Sequence, residues 1–145
     1  MENNEEFCKR NFTVRFSDCD YNSRVKLSSL FRFMEESAVA DAEENGYGLR
    51  QLIRSGYTLV LSRQKLRLTH QPLEGERLSV ETWTKSIEGK VALKDFSFKD
   101  SQGNALAQAT TSWLLISLKT GKAVDFSECP FPIFVSPNRE ALTEK

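Results

Sequence analysis

Phe16-Ser17-Asp18-Cys19-Asp20-Tyr21-Asn22-Ser23-Arg24-Val25 is a polar, acidic stretch that leads directly into residues 27–46, the segment with the clearest helical pattern in the chain. Apolar and small residues in that segment recur at intervals of three and four positions, as they do on the buried face of a helix. They are Leu27, Leu30, Phe31, Met34, Ser37, Ala38 and Ala42. We expect Ser28 or Ser29 to cap the start of this helix and Gly46 to end it in a left-handed conformation.

Strand patterns lie on both sides of the predicted helix. Upstream, Phe12, Val14 and Phe16 alternate with polar residues, which is the period of a half-buried strand. Downstream, four segments rich in β-branched and aromatic residues are separated by short turn sequences, which favour antiparallel neighbours. These segments are residues 57–68, 76–87, 91–99 and 105–118. The sequence therefore predicts an α+β domain, with one curved antiparallel sheet of about five or six strands wrapped around a long central helix.

The composition fits one globular domain. A chain of 145 residues, 39% of them hydrophobic, can bury a sizeable core. Twenty basic and twenty acidic side chains cancel, which gives no reason to expect nucleic acid as a partner. No apolar run approaches the roughly 20 residues that span a bilayer, and the first residues are polar and acidic, so we expect a cytoplasmic protein without a membrane partner.

The last segment differs from the rest. Residues 129–145 contain three of the four prolines and end in a polar run. We therefore assign residues 1–128 to the domain and residues 129–145 to an extended tail, which either docks through Phe131 and Phe134 or begins a linker.

The three cysteines are expected to be free thiols. Cys8, Cys19 and Cys129 are odd in number and widely scattered, which fits neither a disulfide framework nor a zinc site. Cys19 lies in the acidic stretch, but a nucleophilic thiol needs a nearby base, and the single histidine, His70, is distant in sequence. A catalytic cysteine is therefore disfavoured.

Two carboxylates, Asp18 and Asp20, come just before the predicted start of the helix. The N–H groups of a first helical turn point outward without an intrahelical acceptor. A carboxylate at this position could attack a carbonyl or activate water, beside donors that hold a developing oxyanion. The simpler interpretation is that both aspartates stabilise a turn through hydrogen bonds to the backbone.

These residues resemble the hot-dog-fold thioesterases. The string Phe16-Ser17-Asp18-Cys19-Asp20 followed by Val25 looks like the Asp-x-Asp turn of the 4-hydroxybenzoyl-CoA thioesterase group, whose second aspartate is the catalytic carboxylate. On this sequence that residue is Asp20. Ser23 stands where the same group has a glycine.

Other strings are more specifically similar to the N-terminal hot-dog domain of bacterial and plant acyl-ACP thioesterases, over roughly residues 12 to 126. They are Met34-Glu35-Glu36-Ser37-Ala38, Leu59-Val60-Leu61-Ser62-Arg63, Pro72 with Gly75-Glu76, Val80-Glu81-Thr82-Trp83, Lys94-Asp95-Phe96, Asp100 with Gly103, and Ala109-Thr110-Thr111-Ser112-Trp113-Leu114-Leu115-Ile116. Many short matches in the right order indicate this family.

The resemblance implies a homodimeric or larger homo-oligomeric thioesterase that hydrolyses fatty acyl thioesters on acyl carrier protein or coenzyme A, without a metal or bound cofactor. Asp20 would act as nucleophile or general base, and the backbone amides of Leu27 and Ser28 would be oxyanion donors. Asn22 could position the thioester or water, although turn formation explains it equally well. Glu36 corresponds to a carboxylate that some hot-dog enzymes place across a dimer interface, whereas a solvated helix face is the simpler account.

A basic stripe of Arg63, Lys65 and Arg67 alternates along one predicted strand face and could bind the anionic carrier, or could be solvated. Acyl-ACP thioesterases carry two hot-dog domains, with their known catalytic residues in the second, whereas this sequence holds one. The alternative is therefore a non-catalytic acyl-binding or structural domain, corresponding to half of a two-domain enzyme. An acyl-CoA thioesterase of detoxification or aromatic degradation is a third possibility with the same chemistry.

Overall fold

The structure is a computed structural model that describes residues 8–133, 135–136 and 139–142. Its helices are α1 (Leu27–Glu44) and α2 (Leu49–Arg54). Its strands are β1 (Cys8–Thr13), β2 (Tyr57–Leu68), β3 (Arg77–Glu88), β4 (Val91–Asp100), β5 (Ala105–Ser117) and β6 (Ala123–Val124). Single turns of 3-10 helix lie at Phe16–Asp18 and Phe126–Glu128. Neither α-helix in this part of the chain is long and apolar enough to cross a membrane.

The strands form one six-stranded antiparallel sheet in the order β1-β3-β4-β5-β2, with β6 paired to β5. The four long strands lie within one residue of the predicted segments, because turn sequences mark their ends. The two-residue strand β6 was not predicted. Strand β2 is an edge of the sheet, and its Val60 and Leu68 side chains are exposed.

Helix α1 packs on the concave face of the sheet and builds the core. Leu30, Phe33 and Met34 are almost completely buried. They contact the strand residues Val80, Phe96, Phe98, Ala107 and Ala109 in one apolar cluster. Small side chains let the layers approach closely, since Ser37, Ala38 and Ala40 of α1 are also buried. The predicted arrangement of sheet and helix is confirmed.

The start of α1 differs from its prediction. The N-cap residue is Lys26, which makes no capping hydrogen bond through its side chain, so the prediction of a serine cap is wrong. Ser29 lies inside the helix, and its side chain hydrogen bonds to Asp18 instead. Leu27 is 53% exposed, because the first turn extends beyond the sheet's apolar cluster. Gly46 has a φ of +84°, as predicted for the residue that ends the helix.

Strand β1 also ends earlier than the alternating pattern indicated. Val14 is buried, but the chain then enters the 3-10 turn, and Phe16 points outward with 82% of its surface exposed. The period of two therefore stops at Val14.

The C-terminal segment covers the convex face of the sheet. The Trp83 indole Nε1 donates to the carbonyl oxygen of Arg139 at 2.9 Å, and the Ala141 amide donates to Asp95 Oδ2 at 2.7 Å. Asp95 is completely buried. Of the two predicted docking side chains, Phe131 is half-buried, while Phe134 lies outside the described residues. The sheet is thus covered on both faces near β3 and β4.

Candidate active site

The acidic stretch folds into a tight loop whose ends are held together. A β-bridge pairs Cys19 with Val25, and the Lys26 amide donates to the Asp18 carbonyl oxygen at 2.7 Å. Ser23 has a φ of +59°, the left-handed conformation that glycine adopts without strain. The serine therefore takes the backbone shape that glycine would take at this position. The loop brings Asp18 to the start of α1.

Asp18 is a buried, structural carboxylate. Its Oδ2 accepts from the Arg15 amide at 3.0 Å, and its Oδ1 accepts from the Arg32 guanidinium. Burial alone raises the pKa of Asp18, but these bonds, with one from Ser29, outweigh burial and hold that pKa below its usual value. Asp18 therefore stays ionised and ties the loop to α1.

Asp20 is half-buried, and its Oδ1 serves the backbone of its own loop. It accepts from the Asn22 amide at 2.8 Å and from the Arg24 amide at 3.2 Å. Both bonds go to the same oxygen. Asn22 is exposed and contributes its main-chain N–H to this turn. A role of Asp20 in turn formation is thus visible, and its catalytic role stays a prediction.

Cys19 lies inside the same loop, and its surroundings favour the protonated thiol. Burial raises the pKa of its thiol, and the carboxylates of Glu74, Asp18 and Asp20 raise it further. All three cysteines are free, as predicted. A thiolate nucleophile is disfavoured at this position.

The remaining candidates near α1 lie on its surface. Leu27 and Ser28 are its first two residues, and the amides that follow, of Ser29 and Leu30, donate to the Lys26 carbonyl oxygen at 3.0 and 3.3 Å. Glu36 is exposed, one turn from Arg32, with 4.0 Å between Glu36 Oε1 and Arg32 Nε. These roles in catalysis also stay predictions.

The basic stripe lies on the convex face of the edge strand β2. Arg63, Lys65 and Arg67 pair across the sheet with Ser112, Thr110 and Gln108 of β5. Thr110 in turn hydrogen bonds to Asp95, under the C-terminal segment. All three basic residues are exposed. They therefore lie on the face of the sheet opposite α1.

An apolar cavity of about 260 Å³ lies between the sheet and the C-terminal half of α1. Its wall includes Ala42, Leu52, Leu59, Trp113 and Phe126. The lining is mostly hydrocarbon, which is typical of a site for an apolar ligand. Asp20, Asn22 and Glu36 are not among the lining residues. Strand periodicity gave no way to identify this set, since it shows which residues are buried but not where packing is incomplete.

Three polar residues, Lys94, Tyr47 and Thr84, line the otherwise apolar cavity. Lys94 Nζ of β4 forms an ion pair with Asp41 Oδ2 of α1, and both side chains are about nine-tenths buried. Tyr47 lies beside Thr84 and Asp41. Burial, followed by the charge of Asp41, raises the pKa of Tyr47, so its hydroxyl stays protonated.

The acidic loop and the cavity lie at opposite ends of α1. The loop precedes Leu27, whereas the first helical residue in the cavity wall is Ala38. The helix axis rises about 16 Å over that interval, at 1.5 Å per residue. Within one chain, the candidate carboxylate and the apolar cavity are therefore separate features.

Comparison with protein families identifies the chain. Residues 5–128 match the model of the acyl-ACP thioesterase N-terminal domain. The chain belongs to this family. The resemblance expected from the helix and strand strings is thereby confirmed. A comparison with curated proteins found no match.

Several solved structures of thioesterases have the same fold as this acyl-ACP thioesterase N-terminal domain. An acyl-ACP thioesterase from Bacteroides thetaiotaomicron is 26% identical, with a TM-score of 0.81 over 99% of this chain and 62% of its own. A Lactobacillus plantarum protein assigned as an oleoyl thioesterase is 19% identical, with a TM-score of 0.81 over 85% of this chain and 48% of its own. A 1,4-dihydroxy-2-naphthoyl-CoA thioesterase from Synechocystis is 17% identical, with a TM-score of 0.74 over 87% of this chain and 99% of its own. The domain has the hot-dog fold of these thioesterases, and it spans about half to two-thirds of the first two.

Proposed function

We propose that this domain hydrolyses fatty acyl thioesters and that the acyl chain lies in the cavity beside α1. The observation that carries the proposal is the cavity itself, an apolar space of about 260 Å³ in a member of the acyl-ACP thioesterase family. Transferring a hydrocarbon chain from water into such a space is favourable, by about 0.8 kcal/mol per buried methylene. The products are a free fatty acid and the thiol of the carrier, as expected in cytoplasmic fatty acid biosynthesis.

Asp20 is the proposed catalytic carboxylate. Its Oδ1 holds the loop through two amides, so Oδ2 is the oxygen that takes a proton from water as the hydroxide attacks the thioester carbonyl. The tetrahedral oxyanion then collapses, the carbon–sulfur bond breaks, and the leaving thiolate takes up the proton. Amides of Leu27 and Ser28 are the proposed oxyanion donors, each worth about 3 kcal/mol of barrier.

A second hot-dog unit is needed to bring this carboxylate to an acyl group. The start of α1 is about 16 Å from the cavity along the helix axis. We propose that a second copy of the chain places its own acidic loop at the cavity mouth, in a homodimer. Among the described residues β2 is an edge strand with Val60 and Leu68 exposed, a surface suited to such pairing.

The basic stripe is the proposed contact with the carrier, whose phosphates are anionic in both acyl carrier protein and coenzyme A. Replacing Arg63, Lys65 and Arg67 with glutamine is expected to raise KM about tenfold and weaken its salt dependence, with kcat unchanged. A matched control changes Lys119 and Lys122, which are exposed in the turn before β6. Equal KM values for the two variants would show that the basic stripe is not the contact with the carrier.

A non-catalytic acyl-binding role is the second candidate. Two observations favour it. The chain spans 48% and 62% of the first two solved relatives, and Asp20 Oδ1 is already occupied in its own turn. In that case the cavity would bind the acyl chain while a separate domain supplied the reacting groups.

The two candidates are separated by measuring hydrolysis and binding on the same protein. Acyl-ACP and acyl-CoA substrates of graded chain length are assayed for thiol release, and non-hydrolysable S-alkyl thioethers of coenzyme A are titrated by calorimetry. Thiol release that is lost in Asp20→Ala supports the hydrolase. Saturable thioether binding without thiol release supports the acyl-binding domain and contradicts the hydrolase.

A further inference from the structure

Lys94 lines the cavity and forms an ion pair with Asp41 of α1, a feature that an apolar binding site does not need. Their side chains are 9% and 10% exposed, and Tyr47 and Thr84 lie beside them. A buried ion pair is weak evidence for stability, because the cost of desolvating both charges offsets their attraction. Its position within the binding site is therefore the more informative property.

The pair belongs to a polar row that crosses the concave face of the sheet. Lys94 is directly opposite Thr84 on β3 and Thr111 on β5. The next row toward the N-terminal half of α1 is Thr82, Phe96 and Ala109, within or beside the main apolar core. The preceding row contains Ala92 and Trp113, which face the cavity. The polar row, defined here as Thr84, Lys94 and Thr111, thus lies between the row of Phe96 in the core and the row of Ala92 and Trp113 at the cavity.

The exposed lining residues mark the side from which the cavity is open to solvent. Among the lining residues, Val39 and Leu49 are 54% and 55% exposed, whereas Lys94 and Thr84 are buried. An acyl chain that enters between Val39 and Leu49 therefore advances toward the polar row. Beyond that row it meets the filled core around Met34 and Phe96.

The buried polar side-chain atoms of the polar row already have hydrogen-bond partners, so the row does not require a polar group on the ligand. Within the described residues, no buried side-chain nitrogen or oxygen lacks a hydrogen-bond partner. The Thr111 hydroxyl donates to the Lys94 carbonyl oxygen at 2.9 Å, and the Trp113 indole donates to Thr111 Oγ1 at 2.8 Å. A chain long enough to push into this network would have to separate a buried ion pair, which is strongly unfavourable.

We propose that the Asp41–Lys94 ion pair closes the acyl cavity and limits the length of the bound chain. This inference rests on the proposed function, because it assigns the substrate class of the same cavity. The two charges determine the chain length, and the reacting groups lie elsewhere.

The experiment titrates S-alkyl thioethers of coenzyme A, from about four to about sixteen carbons, into the folded protein by calorimetry. In the wild type, the affinity rises about fourfold per carbon up to a limiting length, and then stops rising. In the Asp41→Ala/Lys94→Ala variant the rise continues to longer chains, because both side chains are shortened to a methyl group. Ala42→Leu fills part of the cavity and shifts the limit to shorter chains.

Two controls keep the test decisive. Lys99→Ala, on the same strand but paired with Glu81 at 3.3 Å outside the cavity, leaves the length profile unchanged. Should the double alanine variant lose its cooperative thermal transition, Asp41→Asn/Lys94→Met removes the charges at nearly constant volume. A longer chain can then displace the flexible methionine without separating an ion pair, so affinity for chains beyond the wild-type limit rises at least about tenfold. An unchanged profile in a folded charge-free variant overturns the length limit, whereas failure of the wild type to bind S-alkyl thioethers of both coenzyme A and acyl carrier protein contradicts the proposed function instead.

Discussion

Asp20 and Asp100 hold their turns with the same geometry. Asp20 Oδ1 accepts from the amides two and four residues ahead, at 2.8 and 3.2 Å, and Asp100 Oδ1 accepts from the amides two and four residues ahead, at 2.9 and 2.9 Å. Asp100 lies in the turn between β4 and β5, away from the start of α1. The turn geometry of Asp20 is therefore no evidence for catalysis by itself. Asp100 provides a matched control, because asparagine can keep both bonds at either position while it removes the charge.

Ser23→Gly is expected to stabilise the protein. Ser23 has a φ of +59°, and a non-glycine residue in this region costs about 1 to 2 kcal/mol. Glycine also gains freedom in the unfolded chain, which offsets part of the benefit, so the expected net gain is about 0.5 to 1 kcal/mol. Urea denaturation measures it. Ser23→Ala, which keeps a Cβ, should show no gain, and a loss of stability in Ser23→Gly would contradict this account of the loop.

Asp18→Asn is expected to lower stability in a way that depends on pH. Because the pKa of Asp18 lies below its usual value in the folded protein, the ionised group stabilises the fold above that usual value. The contribution is lost as the pH falls from about 4 toward the lower folded pKa. At neutral pH the variant should lose about 2 kcal/mol.

Chemical denaturation at neutral pH and near pH 3 checks this prediction, and the difference between wild type and variant should shrink at the lower pH. Glu36→Gln is the matched control, since Glu36 approaches the same arginine at 4.0 Å but is exposed. It should change stability by less than about 0.5 kcal/mol. A difference for Asp18→Asn that is the same at both pH values would contradict the assigned ion pair.

Trp113 should report acyl binding, because it lines the cavity, whereas Trp83 lies under Arg139 on the opposite face of the sheet. A brominated fatty acyl thioether is expected to quench tryptophan fluorescence saturably. Trp83→Phe keeps this quenching, and Trp113→Phe removes it. The reverse pattern would place the acyl chain on the convex face and contradict the assigned cavity.

Removal of residues 137–145 should destabilise the domain. It deletes the Arg139 carbonyl oxygen that accepts from Trp83, and the Ala141 amide that donates to the buried Asp95. Loss of a partner for a buried charged group typically costs about 3 kcal/mol or more. Thermal unfolding measures the loss, and the emission of Trp83 should shift to the red as it becomes exposed. Unchanged stability and emission would show that the segment is not a structural cover.

Much of the fold could be predicted because the deciding signals are local. The turn sequences around residues 71–75, 88–89 and 100–104 fixed the long strands to within a residue, since glycine and asparagine there allow only tight connections. The exposure of Phe16 and Leu27 was not predicted. The alternating strand pattern continues to Phe16 and the helical pattern begins at Leu27, but no other part of the described domain covers either side chain. A periodic pattern shows which side of a helix or strand is apolar, but it does not show where the element packed against that side ends.

The candidate site could be predicted only in part. The loop of Asp18 and Asp20 next to α1 was readable, since sequence adjacency places it there. The cavity and the Asp41–Lys94 pair were not, because these two charges are 53 residues apart in sequence and meet only through packing. In the sequence, Asp41 is one of several polar residues in an amphipathic helical pattern. No periodic pattern indicates that such a charge is buried.

The most direct test of the proposed hydrolase is the rate of thiol release from fatty acyl thioesters of graded chain length, on acyl carrier protein and coenzyme A, by wild type, Asp20→Asn and Asp100→Asn. Both variants should fold normally. We expect turnover by the wild type and by Asp100→Asn, with at least about a hundredfold lower kcat for Asp20→Asn. Equal rates for all three proteins would remove Asp20 from the mechanism, and no thiol release by the wild type would contradict hydrolysis by this chain.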